Sequence, residues 1–337
     1  MKTLITGGTG FVGLNVAEEL LRRGGSVIAM GDRAMPKFAE KTLTRAGGKL
    51  TQIICDVSDG HAVREVFERF RPDRVVHAAV ITAGDEREFR EFERVVDVNV
   101  KGTANVLQSA LNTLADKVIY VSSGSAYGNT LFAGAQLLEE SPMVPDSLYS
   151  ITKHASERIC ARFRHARNLN VTCVRLGSVF GPWERDTGVR DTLSLPMQIL
   201  QRALCGEEIR LPAQEPKRDW IYSRDVARGL ATVLEAPSLR HEVYNLGSGY
   251  KWCNVAADWS ARLRAVAPGL RARATEAGEQ PNVVFFGGRD RAMMGIYRLT
   301  SETGFKPRFD QKDALADYAA WVRENQDYFQ FEQCGAT

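Results

Sequence analysis

The 337-residue chain has no apolar run close to the ~20 residues that a helix needs to cross a bilayer. Its six cysteines (Cys55, Cys160, Cys173, Cys205, Cys253, Cys334) are scattered and form no Cys-x-x-Cys pair, so they read as reduced thiols with packing roles. The five histidines (His61, His77, His154, His165, His241) lack zinc spacing, and no metal is expected. An excess of charge of one sign is also missing. Lys and Arg number 44 against 41 Asp and Glu, a net charge of +3. A nucleic-acid surface normally shows a clustered basic excess, so no nucleic acid is expected as a partner. There is no internal repeat, low-complexity tract or Gly-x-Ser-x-Gly elbow, which removes solenoids and serine hydrolases of that type. The chain is 44% hydrophobic and 25% charged, enough apolar content for a packed core. Its start turns glycine-rich at Gly7-Gly8 before a signal-peptide apolar region could form. The expectation is a cytoplasmic protein with no membrane partner.

What is present is an alternation of apolar strands and amphipathic helices. Strand-like runs fall at Leu4-Ile5, Val27 to Met30, Gln52 to Cys55, Arg74 to His77, Lys117 to Val121 and Val171 to Val174. Helical spacing marks Phe11 to Arg23, Ala62 to Phe70, Val95 to Leu111 and Tyr149 to Arg167. Strands that are apolar throughout, with helices between them, predict an α/β protein built on a doubly wound parallel sheet covered on both faces. After Gly181-Pro182 the alternation loosens. Helices are expected at Leu193 to Leu204, Arg224 to Leu234 and Ala314 to Glu324, and Val243 to Leu246 can return to the main sheet. The division expected is a dinucleotide-binding domain over 1–180, with 219–248 returning to it. A smaller C-terminal substrate-binding region takes 181–218 and 249–337.

Thr6-Gly7-Gly8-Thr9-Gly10-Phe11-Val12-Gly13 follows a strand and opens a helix. Gly7 permits the tight turn, Gly10 lets the backbone approach a pyrophosphate, and Gly13 lets the helix lie close to the sheet. The anion then sits at a helix N-terminus, where free N–H groups and the dipole favour it. No Gly-Lys-Ser/Thr follows, so this is not a Walker loop. The second strand ends Met30-Gly31-Asp32-Arg33. Asp32 can accept from the hydroxyls of an adenosine ribose and favours NAD; Arg33 can pair a 2′-phosphate and favours NADP. The choice between NAD and NADP stays open, as does a plain solvated-turn role for both residues. Asp56 can accept from an adenine amino group or simply cap its turn.

Tyr149-Ser150-Ile151-Thr152-Lys153 puts a phenol and an amine four residues apart, on one helix face. A free phenol, with a pKa of ~10, is a poor base at neutral pH. A nearby ammonium, helped by an oxidised nicotinamide, stabilises the phenolate. Tyr149 can then take the proton of a substrate hydroxyl as hydride leaves. Upstream, Val121-Ser122-Ser123-Gly124-Ser125-Ala126-Tyr127-Gly128 follows the fifth strand, at the sheet edge where ligands bind. A serine there can hydrogen-bond the reacting oxygen.

Together the glycine loop, the serine-rich strand end and Tyr-x-x-x-Lys resemble the extended short-chain dehydrogenases/reductases. More narrowly, the chain resembles the NAD-dependent epimerase/dehydratase family, whose best-known members are UDP-galactose 4-epimerases. The likeness extends to Val76-His77-Ala78-Ala79, to Asn99 in Asp97-Val98-Asn99-Val100-Lys101-Gly102-Thr103, to Arg175 through Pro182, and to Arg218-Asp219-Trp220-Ile221-Tyr222 with Asp225-Val226-Ala227. It implies a Rossmann fold, with Ser123 as the family's catalytic Ser/Thr, Tyr149 as acid/base and Lys153 as its partner. It implies cofactor contacts from Gly7, Gly10, Phe11, Val12, Asp32, Arg33, Asp56, Val57, Ala78, Ala79, Asn99, Tyr149 and Lys153. The implied substrate contacts are Ser125, Ser178, Arg218, which often meets a substrate phosphate in the family, and Arg291. An Arg218 paired structurally with Asp219 or Asp225 is the alternative.

The chain departs from the family at three points. Gly31 stands where many NAD-using members carry their acid, one place before Asp32. Gly124-Ser125 replaces the Asp-Glu pair that dehydratases place after the catalytic Thr, which disfavours dehydration. Ser178 replaces the Asn common in sugar-nucleotide epimerases and points to a smaller or unusual substrate. The expectation is an NAD(P)-dependent enzyme moving hydride at a secondary alcohol or ketone of a sugar or nucleotide sugar, leaning towards an epimerase. A net dehydrogenase/reductase and a non-catalytic NAD(P) sensor are the alternatives. The family also suggests a homodimer through Val95–Leu111 and Tyr149–Arg167. His77, Cys160, Cys173, Trp183, Trp220 and Trp252 read as packed residues.

Overall fold

The computed structural model describes residues 1–134, 136–250, 252–285 and 288–329. Cys334 and the end of the C-terminal region assigned from sequence lie outside the described residues. Eleven strands are present among them: β1 Lys2–Thr6, β2 Ser26–Gly31, β3 Lys49–Ile54, β4 Arg74–His77, β5 Lys117–Ser123, β6 Val171–Leu176, β7 Ser178–Phe180, β8 Glu208–Leu211, β9 Trp220–Tyr222, β10 Val243–Leu246 and β11 Arg271–Ala274. The helices are α1 Phe11–Arg22, α2 Lys37–Arg45, α3 Gly60–Phe70, α4 Asp85–Arg90, α5 Phe92–Val96, α6 Gly102–Asn112, α7 Leu148–Arg167, α8 Leu195–Leu204, α9 Ser223–Glu235, α10 Val255–Leu263, α11 Tyr297–Thr303 and α12 Gln311–Glu324.

Seven strands form one parallel sheet in the order β10-β6-β5-β4-β1-β2-β3. This is the doubly wound α/β sheet expected, and β10 does return to it, pairing Val243 with Cys173. Successive strand residues point to opposite faces, so each strand feeds two cores. Ile5, Val76, Ile119 and Val174 pack on one side with Leu14 and Leu21 of α1 and Leu230 and Leu234 of α9. Leu4, Val75, Val118 and Cys173 pack on the other with Val63 and Phe67 of α3, Val106 and Leu107 of α6 and Cys160 of α7. Each such side chain, fully buried, contributes about 1.5–3 kcal/mol. The remaining strands form two small parallel pairs, β11 with β8 and β7 with β9.

Helix ends follow local chemistry. Ser147 and Ser150 form a reciprocal capping box that starts α7, and Asn168 ends it in the left-handed region at φ 56°. Asp59 caps α3 by accepting from the N–H groups of His61 and Ala62. The single helix expected over Val95 to Leu111 is not continuous. Asp97–Lys101 forms a π-turn between α5 and α6. The hydroxyls of Thr103 and Ser156 donate to the carbonyl of Asn99 at 2.6 and 2.9 Å. Side chains thus serve that carbonyl within the widened turn, where an uninterrupted α-helix would rely on its own ladder.

Cys55, Cys160, Cys173 and Cys253 are free thiols. Cys205 departs from the reduced expectation, because it is disulfide-bonded. No helix of the described residues is long and apolar enough to cross a membrane.

Candidate active site

A cleft of about 440 Å³ opens above the carboxyl ends of β1, β4 and β5, the edge where ligands bind in sheets of this type. Its floor is the loop between β1 and α1. Gly7 has φ +65°, and a Cβ there would lie 2.8 Å from the backbone nitrogen of Ala79. A Cβ at Gly13 would lie 2.1 Å from the carbonyl oxygen of Gly7, so only glycine lets α1 begin so close to the strand. No side chain caps α1 at Gly10, and its first turn carries no acid. That cradle of backbone N–H groups at an uncapped helix start fits a pyrophosphate. The residues present therefore suit a dinucleotide: Gly7, Gly10, Phe11, Val12, Ala78 and Ala79 all line the cleft.

Asp32 and Arg33 line the same cleft and are exposed. Their side chains meet at 3.1 Å, and Arg33 also donates to the Thr187 carbonyl at 2.8 Å. Val57 and Asp56 stand on the far wall. Burial works to raise the Asp56 pKa, but the N–H and hydroxyl of Ser58 and the Arg94 guanidinium outweigh it and hold it below the usual range. Asp56 thus caps its own turn, with Ser58 N–H at 2.9 Å, and still faces the cleft. Asn99 does not line the cleft. Its amide accepts from the Ile81 N–H at 2.8 Å, and donates to the Ile81 carbonyl at 2.9 Å and to Thr152 at 3.0 Å. Ile81, which it holds, does line the cleft.

Tyr149 and Lys153 sit one turn apart at the start of α7. Ser123 and Thr82 line the cleft with Tyr149, and their side chains face its phenol closely enough to favour the ionised form. Burial pushes its pKa up; those two hydroxyls and the charges of Arg190 and Arg291 oppose the rise. Lys153 Nζ lies 6.0 Å from the centre of the Tyr149 ring and donates to the Val121 carbonyl at 2.7 Å. Burial brings its pKa down to about 8, against the charge of Glu157. Glu157 is itself buried in an ion pair with Arg175 at 2.7 Å and accepts from the Ser122 hydroxyl at 2.6 Å. This pair fixes the face of α7 behind Lys153. Ser123 ends β5 and accepts the Ser125 N–H at 3.0 Å, which turns the chain at Gly124.

Ser125, Ser178, Arg218 and Arg291, the residues expected at the substrate, all line the same cleft. Arg218 lies 5.5 Å from the centre of the Phe285 ring and donates to the Lys217 carbonyl at 3.1 Å. Asp225 belongs instead to Arg228 and to the N–H groups of Arg308 and Phe309. Asp219 is buried, accepts the Met294 N–H at 3.2 Å and packs on Gly177 and Gly247. Desolvation raises its pKa to about 7. Burial and the repulsion of Arg291 lower Arg218 to about 9. His77 is buried between Thr6 and Thr103, at 2.6 and 3.0 Å, and does not line the cleft. Trp183, Trp220 and Trp252 are buried, and Trp220 also lines the cleft.

Sequence reasoning missed Thr82 and Arg190. Thr82 follows β4 and pairs with the 189–191 segment: its N–H donates to the Val189 carbonyl at 2.8 Å, and its carbonyl accepts from Asp191 at 3.2 Å. No local pattern marks either residue, since only the fold brings the two loops together.

Comparison with known proteins adds an independent line. A dTDP-glucose 4,6-dehydratase of Xanthomonas campestris pv. campestris (strain B100) is 25% identical over 358 residues, covering 99% of each chain. The UDP-glucose 4-epimerase of Thermus thermophilus, solved with NAD, superposes with a TM-score of 0.78 at 25% identity, covering 96% of this chain and 100% of that one. The UDP-glucose 4-epimerase of Thermotoga maritima, solved with UDP-glucose, gives 0.79 at 23% identity, covering 97% and 100%. Residues 3–247 match the NAD dependent epimerase/dehydratase family as a whole, and the chain belongs to that family.

Proposed function

We propose that this NAD-dependent enzyme epimerises a secondary-alcohol carbon of a nucleotide sugar. The observation that carries the reading is the placement of Ser123, Tyr149 and Lys153 around one point of a cleft that also holds the dinucleotide cradle. NAD, when bound, supplies a hydride acceptor that can return the hydride. Tyr149 removes the hydroxyl proton as the C–H bond breaks, and returns it when the ketone is reduced on its other face. Ser123 hydrogen-bonds the reacting oxygen, and the Lys153 ammonium favours the phenolate. Arg218 is the candidate for the substrate diphosphate, with Ser125 and Ser178 nearer the sugar.

Dehydration is the second reading, because relatives include dTDP-glucose 4,6-dehydratases. It needs carboxylates beside the catalytic hydroxyl, and Gly124 and Ser125 stand there. A Cβ on Gly124 would sit 3.1 Å from Met294 Sδ, which leaves little room for an acid. We read 1–180 with 219–248 as the cofactor-binding unit, and 181–218 with 249–337 as the substrate-binding region. The site of action is read as cytoplasmic. A homodimer through α6 and α7 is consistent with the exposed Ile151 on α7 and is checked by light scattering.

The test is incubation with NAD and a panel of nucleotide sugars, following nicotinamide absorbance and product NMR together. A new isomer without net reduced cofactor supports the epimerase. Stoichiometric reduced cofactor makes it a dehydrogenase, and a deoxy-keto sugar makes it a dehydratase.

A further inference from the structure

Residues 78–81 follow β4 and form one wall of the cleft, which all four line. Two buried residues beneath hold this wall at its ends. Thr6, the last residue of β1, takes the Ala78 N–H on its carbonyl at 3.1 Å and the Ala79 N–H on its hydroxyl at 3.2 Å. Asn99 takes the Ile81 N–H at 2.8 Å and donates to the Ile81 carbonyl at 2.9 Å. The wall lies tightly on the glycine turn, since a Cβ on Gly7 would meet the carbonyl oxygen of Ala78 at 2.9 Å.

His77 joins the two holders. Its Nδ1 lies 2.6 Å from Thr6 Oγ1, its Nε2 lies 3.0 Å from Thr103 Oγ1, and the Thr103 hydroxyl lies 2.6 Å from the Asn99 carbonyl. The last member of this chain decides where its protons sit. A carbonyl cannot donate, so the single hydroxyl proton of Thr103 points to Asn99. Thr103 can then only accept from the ring, which puts the ring proton on Nε2. The ring is buried and its two nitrogens meet hydroxyls, not carboxylates, so it is neutral and Nδ1 keeps its lone pair. Thr6 therefore donates to Nδ1, and its oxygen is left to accept the Ala79 N–H. Ala79, Thr6, His77 and Thr103 thus donate in one direction, each polarising the next. In the other tautomer the Nε2 lone pair would face the Thr103 oxygen, and Nδ1–H would push the Thr6 proton off the ring. Among the described residues the fully buried Thr6 hydroxyl has no third partner to receive it.

We propose that His77 is a positioning residue for the dinucleotide: as the neutral Nε2–H tautomer it ties Thr6 to Thr103 and Asn99, and so fixes the 78–81 wall against the glycine turn. It acts through Thr6 and Asn99 and touches no ligand. This rests on the dependence on NAD and goes beyond the choice between epimerase and dehydratase.

The tautomer is read from long-range proton–nitrogen NMR spectra of the isotope-labelled full chain at neutral pH. The His77 ring is assigned through its contacts with the Tyr120 ring, 5.7 Å away between centres. A protonated Nε2 beside an unprotonated Nδ1 is expected, and a protonated Nδ1 in wild type overturns the proposal without any variant. The coupling to NAD is read in Thr103→Val, which keeps the side-chain shape and removes the acceptor at a residue that does not line the cleft. NAD is expected to bind about 3- to 10-fold more weakly, the range for one lost buried hydrogen bond, with Nδ1–H now populated in the His77 spectrum. Thr103→Ser restores the hydroxyl and should restore both the affinity and the tautomer. A folded Thr103→Val that only melts earlier and binds NAD as wild type does, or a Thr103→Ser that loses as much affinity as Thr103→Val, overturns the positioning role.

Discussion

The Thr9 side chain occupies the space that a side chain at Gly31 would need. A Cβ on Gly31 would lie 2.2 Å from Thr9 Oγ1. Gly31 ends β2, where the family resemblance leads one to expect an acid, and Asp32 stands one place later with Arg33 against it. An acid cannot be restored at position 31 without clearing Thr9. Gly31→Asp is expected to cost about 1–3 kcal/mol of stability through overpacking and to weaken NAD binding at least tenfold. Thr9→Gly combined with Gly31→Asp should recover NAD affinity. Fluorescence titration with NAD and NADP checks both variants; a single Gly31→Asp that binds NAD as wild type does would show that the loop moves aside freely.

Tyr149→Phe keeps the ring and removes the acid. Turnover is expected to fall about 10²–10⁴-fold, the usual range for a positioned acid/base. NAD affinity should stay within a few-fold, since the glycine loop is untouched. Steady-state rates alongside cofactor titration measure the two separately, and a variant that retains wild-type turnover removes Tyr149 from the mechanism.

His77 makes stability depend on pH in a definite direction. Burial, with the Lys153 charge adding to it, lowers its pKa from 6.5 to about 3. Between those values the unfolded chain binds a proton that the folded chain refuses, so stability falls as pH drops from about 6.5 towards 3. The slope from this group approaches about 1.4 kcal/mol per pH unit. Denaturant titrations at several pH values should show a shallower acid loss in His77→Asn than in wild type. Parallel curves would mean that His77 takes up its proton without unfolding.

Glu157→Gln breaks the buried pair with Arg175 and leaves an uncompensated guanidinium in the core. About 3–5 kcal/mol of stability is expected to go. Replacing both partners, Glu157→Gln with Arg175→Met, should recover much of it. Thermal unfolding of the two variants is the measurement, and a double variant no better than the single one would locate the cost elsewhere.

The main sheet is legible in the sequence because its inner strands are apolar on both faces and separated by amphipathic helices. α2 and the short strands β7, β8 and β11 are not. α2 buries only Ala39 and Leu43, so its apolar stripe is too thin to read. β7 spans only Ser178–Phe180 and owes its existence to its pairing with β9. The π-turn at Asp97–Lys101 also escapes periodicity, because side chains from α6 and α7 decide where the Asn99 carbonyl bonds.

By itself the sequence determined the parallel α/β architecture, the glycine cradle and the Ser123, Tyr149, Lys153 trio, since each is written in local spacing of apolar, small or reactive residues. Tertiary structure alone decided that Thr82, Arg190 and Arg291 line one cleft with Tyr149 and that Asn99 bonds Ile81. Such meetings depend on loops far apart in the chain pairing through backbone hydrogen bonds that any residue type can make, so no residue pattern announces them.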